Sequence, residues 1–176
     1  MTRRTAGARV LATLVDIACM LPWIGVVAAA GAVLWVSGVT HAVGPVAGNL
    51  VGFIALIAPI TIVAAGFESA ARHATPGKRL LRLEVRPRPG EPATGFARAL
   101  ARNAVKYALP WELAHTAVFA LWGAPAGPPI WATVALVGAY TVPAVSIVLL
   151  VVTGRALHDR VAGTRVMATT APAPAL

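Results

Sequence analysis

Four long apolar stretches limit what this chain can fold into more than any other feature. They run over residues 10–36, 45–67, 104–122 and 130–152. Each is near the roughly 20 residues that a helix needs to cross a bilayer. The chain is 58% hydrophobic and only 12% charged, whereas a soluble domain carries about 25% charged residues. The sequence therefore predicts an all-α membrane protein with four transmembrane helices, because a helix satisfies its own backbone in lipid.

The placement of the basic residues predicts the orientation in the membrane. All 15 lysines and arginines precede the first stretch, follow the fourth, or lie between the second stretch and the start of the third. The connections over 37–44 and 123–129 contain none. Because cytoplasmic segments carry the excess of Lys and Arg, both termini and the central segment are expected in the cytoplasm. The net charge of +9 then indicates orientation and contact with anionic lipids, and no nucleic-acid binding is expected.

The first stretch has two interpretations, a signal peptide or a retained span. Arg3 and Arg4 resemble the basic start of a signal peptide, and residues 28–30 resemble a cleavage site. However, the stretch is longer than the usual 7–15 apolar residues of a signal peptide, and Asp16 and Pro22 interrupt it. A retained span is therefore expected. The single Cys19 excludes an intrachain disulfide.

The cytoplasmic segments contain two short strand patterns. Residues 81–86 partly alternate apolar and charged side chains, and residues 163–168 form a second candidate strand. An isolated strand would leave its backbone groups unpaired. The two segments are therefore predicted to pair as a small cytoplasmic β-structure.

The segment before the third stretch has a helical pattern. Phe96 and Leu100 share one face, while Arg98, Arg102 and Lys106 form a basic stripe at a spacing of four. This pattern predicts an amphipathic helix that lies in the cytoplasmic interface. Residues 1–168 are expected to form one domain, and residues 169–176 are expected to be a disordered tail.

Asp16 is the acid that most needs an explanation. A charge inside a span costs roughly 2.5–3.5 kcal/mol on insertion scales. Arg9 is seven residues earlier on the same helical face, and Arg79, Arg102 and Asn103 are alternative partners. Asp16 is either half of a helix-packing ion pair or a protonatable ion ligand, and both interpretations stay open. Separately, Glu68 and Arg72, four residues apart, predict an interfacial salt bridge.

Glu112 and His115 are three residues apart on one helical face within the third stretch. Glu-x-x-His occurs in carboxylate-bridged metal sites, but those need a second such pair on a facing helix. A proton-binding pair is therefore favoured, no metal is predicted, and desolvation is expected to keep Glu112 largely protonated near pH 7. No nucleophile arrangement is visible, so neither an enzyme nor a cofactor is expected. Gly44, Gly48 and Gly52 predict close helix packing, within the chain rather than between copies.

Several motifs together resemble the RDD family of small bacterial membrane proteins. An Arg opens the first span and an Asp lies inside it, a cytoplasmic Pro-Gly-Lys-Arg segment follows, then an Arg-Asn pair, and finally a His-Asp segment. The matching positions are Arg9, Asp16, Pro76, Gly77, Lys78, Arg79, Arg102, Asn103, His158 and Asp159. The resemblance implies a multi-pass protein of the bacterial cytoplasmic membrane, and cation/proton exchange has been proposed for some members. For Asp159, a backbone or Arg contact that orders the cytoplasmic cap is the favoured interpretation.

Two functions follow from these observations. One is a secondary transporter that exchanges monovalent cations for protons at Asp16, Glu112 and His115. Four spans are few for a transport path, so this hypothesis also predicts a homo-oligomer. The alternative is a non-transporting module that binds or regulates a partner membrane protein through its basic cytoplasmic face. A polar cavity that reaches Asp16 favours transport, and a dry, fully paired Asp16 favours the module.

Overall fold

The fold is described from a computed structural model that covers residues 3–89, 93–122, 127 and 129–169. Most of the predicted tail, from residue 170 onward, lies outside the described residues. Within these described residues, eight α-helices and two strands follow one another. They are α1 (Arg3–Val36), α2 (Pro45–Gly52), α3 (Ala58–Ser69), α4 (Pro76–Leu80), β1 (Leu83–Pro87), α5 (Phe96–Asn103), α6 (Leu109–Trp122), α7 (Ile130–Thr153), α8 (Leu157–Val161) and β2 (Thr164–Ala168).

Two of the predicted spans contain a π-helical turn. Phe53–Ile57 joins α2 to α3, and Ala104–Ala108 joins α5 to α6. Such turns insert one extra residue into a helix and are frequent at functional sites. Each of the two helices is therefore continuous through its turn, but the faces before and after it are rotated relative to one another.

Three helices in the described part of the chain are long and apolar enough to cross a membrane. They cover Ala6–Val36, Pro45–Ser69 and Ile130–Thr153, in agreement with the first, second and fourth predicted stretches. The third stretch is also helical but is not among these three. It carries Lys106, Glu112 and His115, which lower its apolar character. A mostly helical membrane fold is thus confirmed, while the count of four spans stays a prediction.

The small sheet confirms the predicted strand pairing. β1 and β2 are antiparallel, with Leu83 opposite Ala168 and Val85 opposite Val166. Leu83, Val85 and Val166 are buried and form one apolar cluster with Ala12 of α1. The alternation seen in the sequence is the alternation of this sheet, which turns one face to α1.

The short helix α4 packs directly on α1, and Gly77 makes this approach possible. A Cβ atom at residue 77 would lie 2.1 Å from the backbone oxygen of Ala12 and 2.9 Å from Oδ1 of Asp16. No side chain fits at that separation, so only glycine allows this contact. The close approach places the start of α4 against the carboxylate of Asp16.

The predicted basic stripe before the third stretch is wrong in one respect. The helix is present as α5, but its buried residues are Ala99, Arg102 and Asn103, while Phe96 is 47% exposed. Arg102 is therefore not part of a solvated face. Acids on neighbouring helices attract it inward, which a helical pattern taken alone does not reveal.

The closely spaced glycines of α2 pack against another helix of the same chain, as predicted. A Cβ atom at Gly48 would meet the ring of Phe119 at 2.9 Å, and one at Gly52 would meet the ring of His115 at 2.7 Å. Gly44 has no such neighbour within 4 Å. Gly48 and Gly52 thus bring α2 close to α6.

Candidate functional site

Six buried charged side chains from five helices meet in one charge network. Its members are Arg9 and Asp16 from α1, Glu68 from α3, Lys78 from α4, Arg102 from α5 and Asp159 from α8. The most exposed member, Arg9, is only 7% accessible. The network contains three cations and three carboxylates, so its formal charge is zero. Buried charges are tolerated when they are paired in this way.

Asp159 joins the first and fifth helices through two arginines. Its Oδ2 atom accepts hydrogen bonds from Arg9 and from the backbone N–H of Ala156, the latter at 3.1 Å. Its Oδ1 atom accepts from Nη2 and Nε of Arg102 at 2.9 and 3.2 Å. Burial alone would raise the pKa of Asp159, but Arg102 and Arg9 outweigh it and hold that pKa well below its usual range. The expected Arg and backbone contacts of Asp159 are confirmed.

Glu68 is a central residue that the sequence interpretation misplaced. Its Oε1 atom accepts from Lys78 at 2.7 Å and from Arg102, and its Oε2 atom accepts from Asn103 at 2.9 Å. The predicted salt bridge with Arg72 is wrong, because α3 ends at Ser69 and the next residue is extended. Helical spacing therefore does not apply to Arg72, which is exposed.

Asp16 lies in the interior as predicted, but its predicted partners are wrong. Oδ2 accepts from the Thr75 hydroxyl at 2.7 Å, and Oδ1 accepts from the Gly77 backbone N–H at 2.8 Å. The nearest cation is Lys78, with its Nζ atom 3.9 Å from Oδ2. The close packing of α4 on α1 delivers these donors, and Arg9 is engaged by Asp159 instead.

The remaining motif residues support the network from its edges. Pro76 begins α4. Arg79 donates from Nε to the Ala74 carbonyl at 2.8 Å and lies 5.0 Å from the ring centre of Phe67, so it stays outside the network. Nε2 of His158 is 3.7 Å from Oδ1 of Asp159. Burial, with Arg102 adding to it, lowers the pKa of His158 well below its usual value, so the ring is neutral at pH 7.

Every carboxylate oxygen of the network accepts at least one hydrogen bond. A cavity of about 390 Å³ reaches Asp16, but the side chain is only 2% exposed. Apart from Asp16 and Thr75, the cavity is bordered by apolar side chains and Cys19, with Trp23, Ile60 and Phe67 among them. Asp16 is therefore buried and hydrogen-bonded through both carboxylate oxygens, which is the arrangement expected of a structural ion cluster.

Glu112 and His115 belong to a second site, the amide cluster, formed by Asn49, Glu112, His115 and Thr116. Asn49 donates from Nδ2 to Oε1 of Glu112 at 2.6 Å and to the Thr116 hydroxyl at 3.2 Å. His115 donates from Nδ1 to Oδ1 of Asn49 at 2.6 Å. The predicted pair is thus joined through a third residue. Asn49 was missed in the sequence analysis. It could have been identified as a candidate because it is the one amide side chain in the apolar stretch over 45–67.

The amide cluster leaves one acceptor unused. Oε2 of Glu112 is buried and has no hydrogen-bond partner among the described residues. The ring of His115 stacks on Trp111 with 4.0 Å between centroids. Within the described ranges, no group of three or more His, Cys, Asp or Glu side chains is placed to hold a metal ion. Whether Glu112 carries a proton stays a prediction.

Comparison with known proteins identifies the family. The model of the RDD family matches residues 3–163, which includes every member of the charge network. A search of curated proteins and a search of solved structures found no match. Together with the long apolar helices, the family match marks an integral membrane protein. The chain belongs to the RDD family.

Proposed function

We propose that this protein is a non-enzymatic membrane module that presents a basic face to a partner membrane protein. It has four spans with both termini in the cytoplasm, in the cytoplasmic membrane of a bacterium. One observation carries the proposal. Each carboxylate oxygen of the charge network is hydrogen-bonded and its charges balance, so the network holds five helices together instead of cycling between ions. A transport site needs a carboxylate that is free to exchange its ligand.

The distribution of the other arginines supports a binding face. Six are exposed in and around the sheet and the neighbouring turns, namely Arg72, Arg82, Arg86, Arg88, Arg160 and Arg165. All six lie in segments that the positive-inside rule assigns to the cytoplasm. Among them, Arg86 is paired with Glu84. This surface suits an acidic cytoplasmic segment of a partner or the anionic headgroups of the membrane.

A second candidate function is supported by the amide cluster. Oε2 of Glu112 is buried without a partner among the described residues, and an intramembrane carboxylate of this kind is by default a functional hypothesis. Glu112 could therefore exchange a proton for a monovalent cation. A homo-oligomer would then enclose the path, because a single chain with four spans offers little enclosed volume.

Flux measurements in sealed liposomes separate the two functions. We expect the purified protein to give no proton movement in response to Na⁺ or K⁺ gradients beyond that of protein-free liposomes. An added ionophore verifies that the gradients are usable. Cation-dependent flux that is lost in Glu112→Gln and kept in the control Glu84→Gln would overturn the module and establish exchange at Glu112.

Photo-crosslinking in native membranes tests the binding face directly. A crosslinking residue at the exposed Arg88 is expected to give a discrete adduct with another membrane protein. The same residue at Val148 of α7, which is 59% exposed and proposed to face lipid, is the control and should give none. The absence of a discrete adduct from Arg88, or equal adducts from both positions, would contradict a partner-binding basic face.

A further inference from the structure

A large elongated chamber lies beside the charge network. Its volume is about 750 Å³, and α1, the two π-helical turns and α7 border it. Most of its wall is apolar, with Leu14, Ile17, Leu56, Val142 and Ile147 among the lining residues. The shape and lining suit a hydrocarbon chain rather than a hydrated ion.

One end of the chamber, called here its basic end, carries polar side chains. Arg9, Arg102, Lys106, Tyr107 and His158 lie there. The acids of the charge network already neutralise Arg9 and Arg102. Lys106, in contrast, forms no salt bridge with any carboxylate of the described residues. The chamber therefore combines an apolar body with one uncompensated lysine.

Lys106 and Tyr107 both belong to the π-helical turn over Ala104–Ala108, and both line this end of the chamber. Lys106 donates from Nζ to the Tyr107 hydroxyl at 2.7 Å and lies 4.5 Å from the ring centre. Besides the N–H that bonds Tyr107, the Lys106 amino group has further N–H to donate, and the tyrosine hydroxyl keeps its own O–H for donation. Together they form a compact set of donors for an anionic oxygen.

The chamber has the depth of one lipid leaflet. Arg9 and Ile24 both line it, and the 15 helical steps from one to the other span about 22 Å. Half of a bilayer that measures about 40–45 Å with its headgroup regions has a similar length. With the proposed orientation, the basic end lies at the cytoplasmic headgroup level and the apolar end points to the membrane centre. A phospholipid of the cytoplasmic leaflet has the same polarity.

We propose that this chamber is a binding site for one anionic phospholipid, with the headgroup phosphate on Lys106 and Tyr107 and an acyl chain between α1 and α7. The charge argument selects an anionic headgroup, since its phosphate would supply the negative partner that Lys106 lacks among the described residues. Basic pockets between transmembrane helices on the cytoplasmic side are known to take such headgroups. The site rests on the proposed orientation but not on the partner-binding function, and it is independent of ion flux.

Native mass spectrometry of the detergent-solubilised full chain tests the site. With phosphatidylglycerol supplied, we expect a predominant one-lipid adduct, and a much weaker one with phosphatidylcholine. Lys106→Met should weaken phosphatidylglycerol binding about tenfold, as expected for loss of one charge-assisted contact. Lys106→Arg should restore it. Arg72→Met, which removes an exposed arginine, should leave the adduct unchanged.

A second variant keeps the test decisive if Lys106→Met folds poorly. Ser146→Trp fills the chamber from α7 without changing charge, and it should also remove the adduct. Equal adducts in the wild type and in both variants would place the lipid on the exposed arginines and overturn the site. Competition by oleate at equal concentration, with loss of the phospholipid adduct, would show that a single-chain carboxylate is the true occupant and would likewise refute the phospholipid assignment.

Discussion

The charge network and the amide cluster both bury carboxylates among apolar helices, but they compensate them differently. In the network, Glu68 receives two cations and an amide. In the cluster, Glu112 receives the amide of Asn49 and the hydroxyl of Thr116, both on the same oxygen. The other oxygen of Glu112 has no partner among the described residues. In the network the carboxylate charge is neutralised by cations, whereas in the amide cluster one carboxylate oxygen can still accept a hydrogen bond.

This difference separates an acid that is paired with cations from an acid that is held by neutral groups. A buried carboxylate with matched cations is costly to disturb, because removing one partner leaves the others uncompensated. A carboxylate that is bonded only to neutral groups can accept a proton without leaving a buried cation unpaired. Five of the six residues of the charge network belong to the family motif, and the residues of the amide cluster lie outside it.

The largest expected effect comes from the same isosteric change at both sites. Glu68→Gln removes the acid shared by Lys78 and Arg102 and should lower the free energy of unfolding by about 3–5 kcal/mol. Glu112→Gln should change it by no more than about 1 kcal/mol, since no lysine or arginine of the described residues forms a salt bridge with Glu112. Thermal or denaturant unfolding in detergent measures both. Equal losses at the two positions would show that the two sites do not differ in this way.

Glycine substitutions should give a smaller contrast between the same two regions. At Gly77 an added Cβ meets the Ala12 backbone at 2.1 Å, and at Gly52 it meets the His115 side chain at 2.7 Å. A side chain can move more cheaply than a backbone, so Gly77→Ala should be the more destabilising, by about 1–3 kcal/mol or more. Gly66→Ala, with no neighbour within 4 Å, is the control. The melting temperatures should fall in the order Gly66→Ala, Gly52→Ala, Gly77→Ala, and a reversal of the last two would contradict the close α1–α4 contact.

The smallest expected effect is a pH dependence of stability that comes from His158, which borders the charge network. The folded-state pKa of His158 is lowered by burial and by Arg102, whereas the unfolded value is about 6.5. Below that pH the unfolded chain binds a proton that the folded chain does not. Stability should therefore be complete above about pH 6.5 and fall by at most about 1.4 kcal/mol per pH unit below it.

Unfolding of the wild type and of His158→Gln between about pH 7 and about pH 5 checks this dependence. The variant should lose less stability over that range. His41→Gln is the control, because His41 is exposed and should leave the slope unchanged. A wild-type protein whose stability does not fall with acidification would show that His158 titrates normally in the folded state.

Features with a local origin could be predicted from the sequence. The apolar stretches show where long helices form, since length and composition decide whether a helix suits a membrane. The alternation in 81–86 indicates β1, because the two-residue period is a property of each strand. Arg9, Asp16, Arg102 and Asp159 were recognised from their places in a family motif, although their contacts were not.

The partners of the buried charges were decided only by the tertiary structure. Asp16 is bound by Thr75 and the Gly77 backbone, Glu68 by Lys78 and Arg102, and Glu112 by Asn49. In each of these contacts the two groups are at least 10 residues apart in the chain, and helix packing sets their distance. The sequence by itself therefore determines that this is a helical membrane protein whose charges must be paired. Which acid meets which donor depends on how closely α4, α5 and α8 approach α1 and α3, and no local pattern encodes that distance.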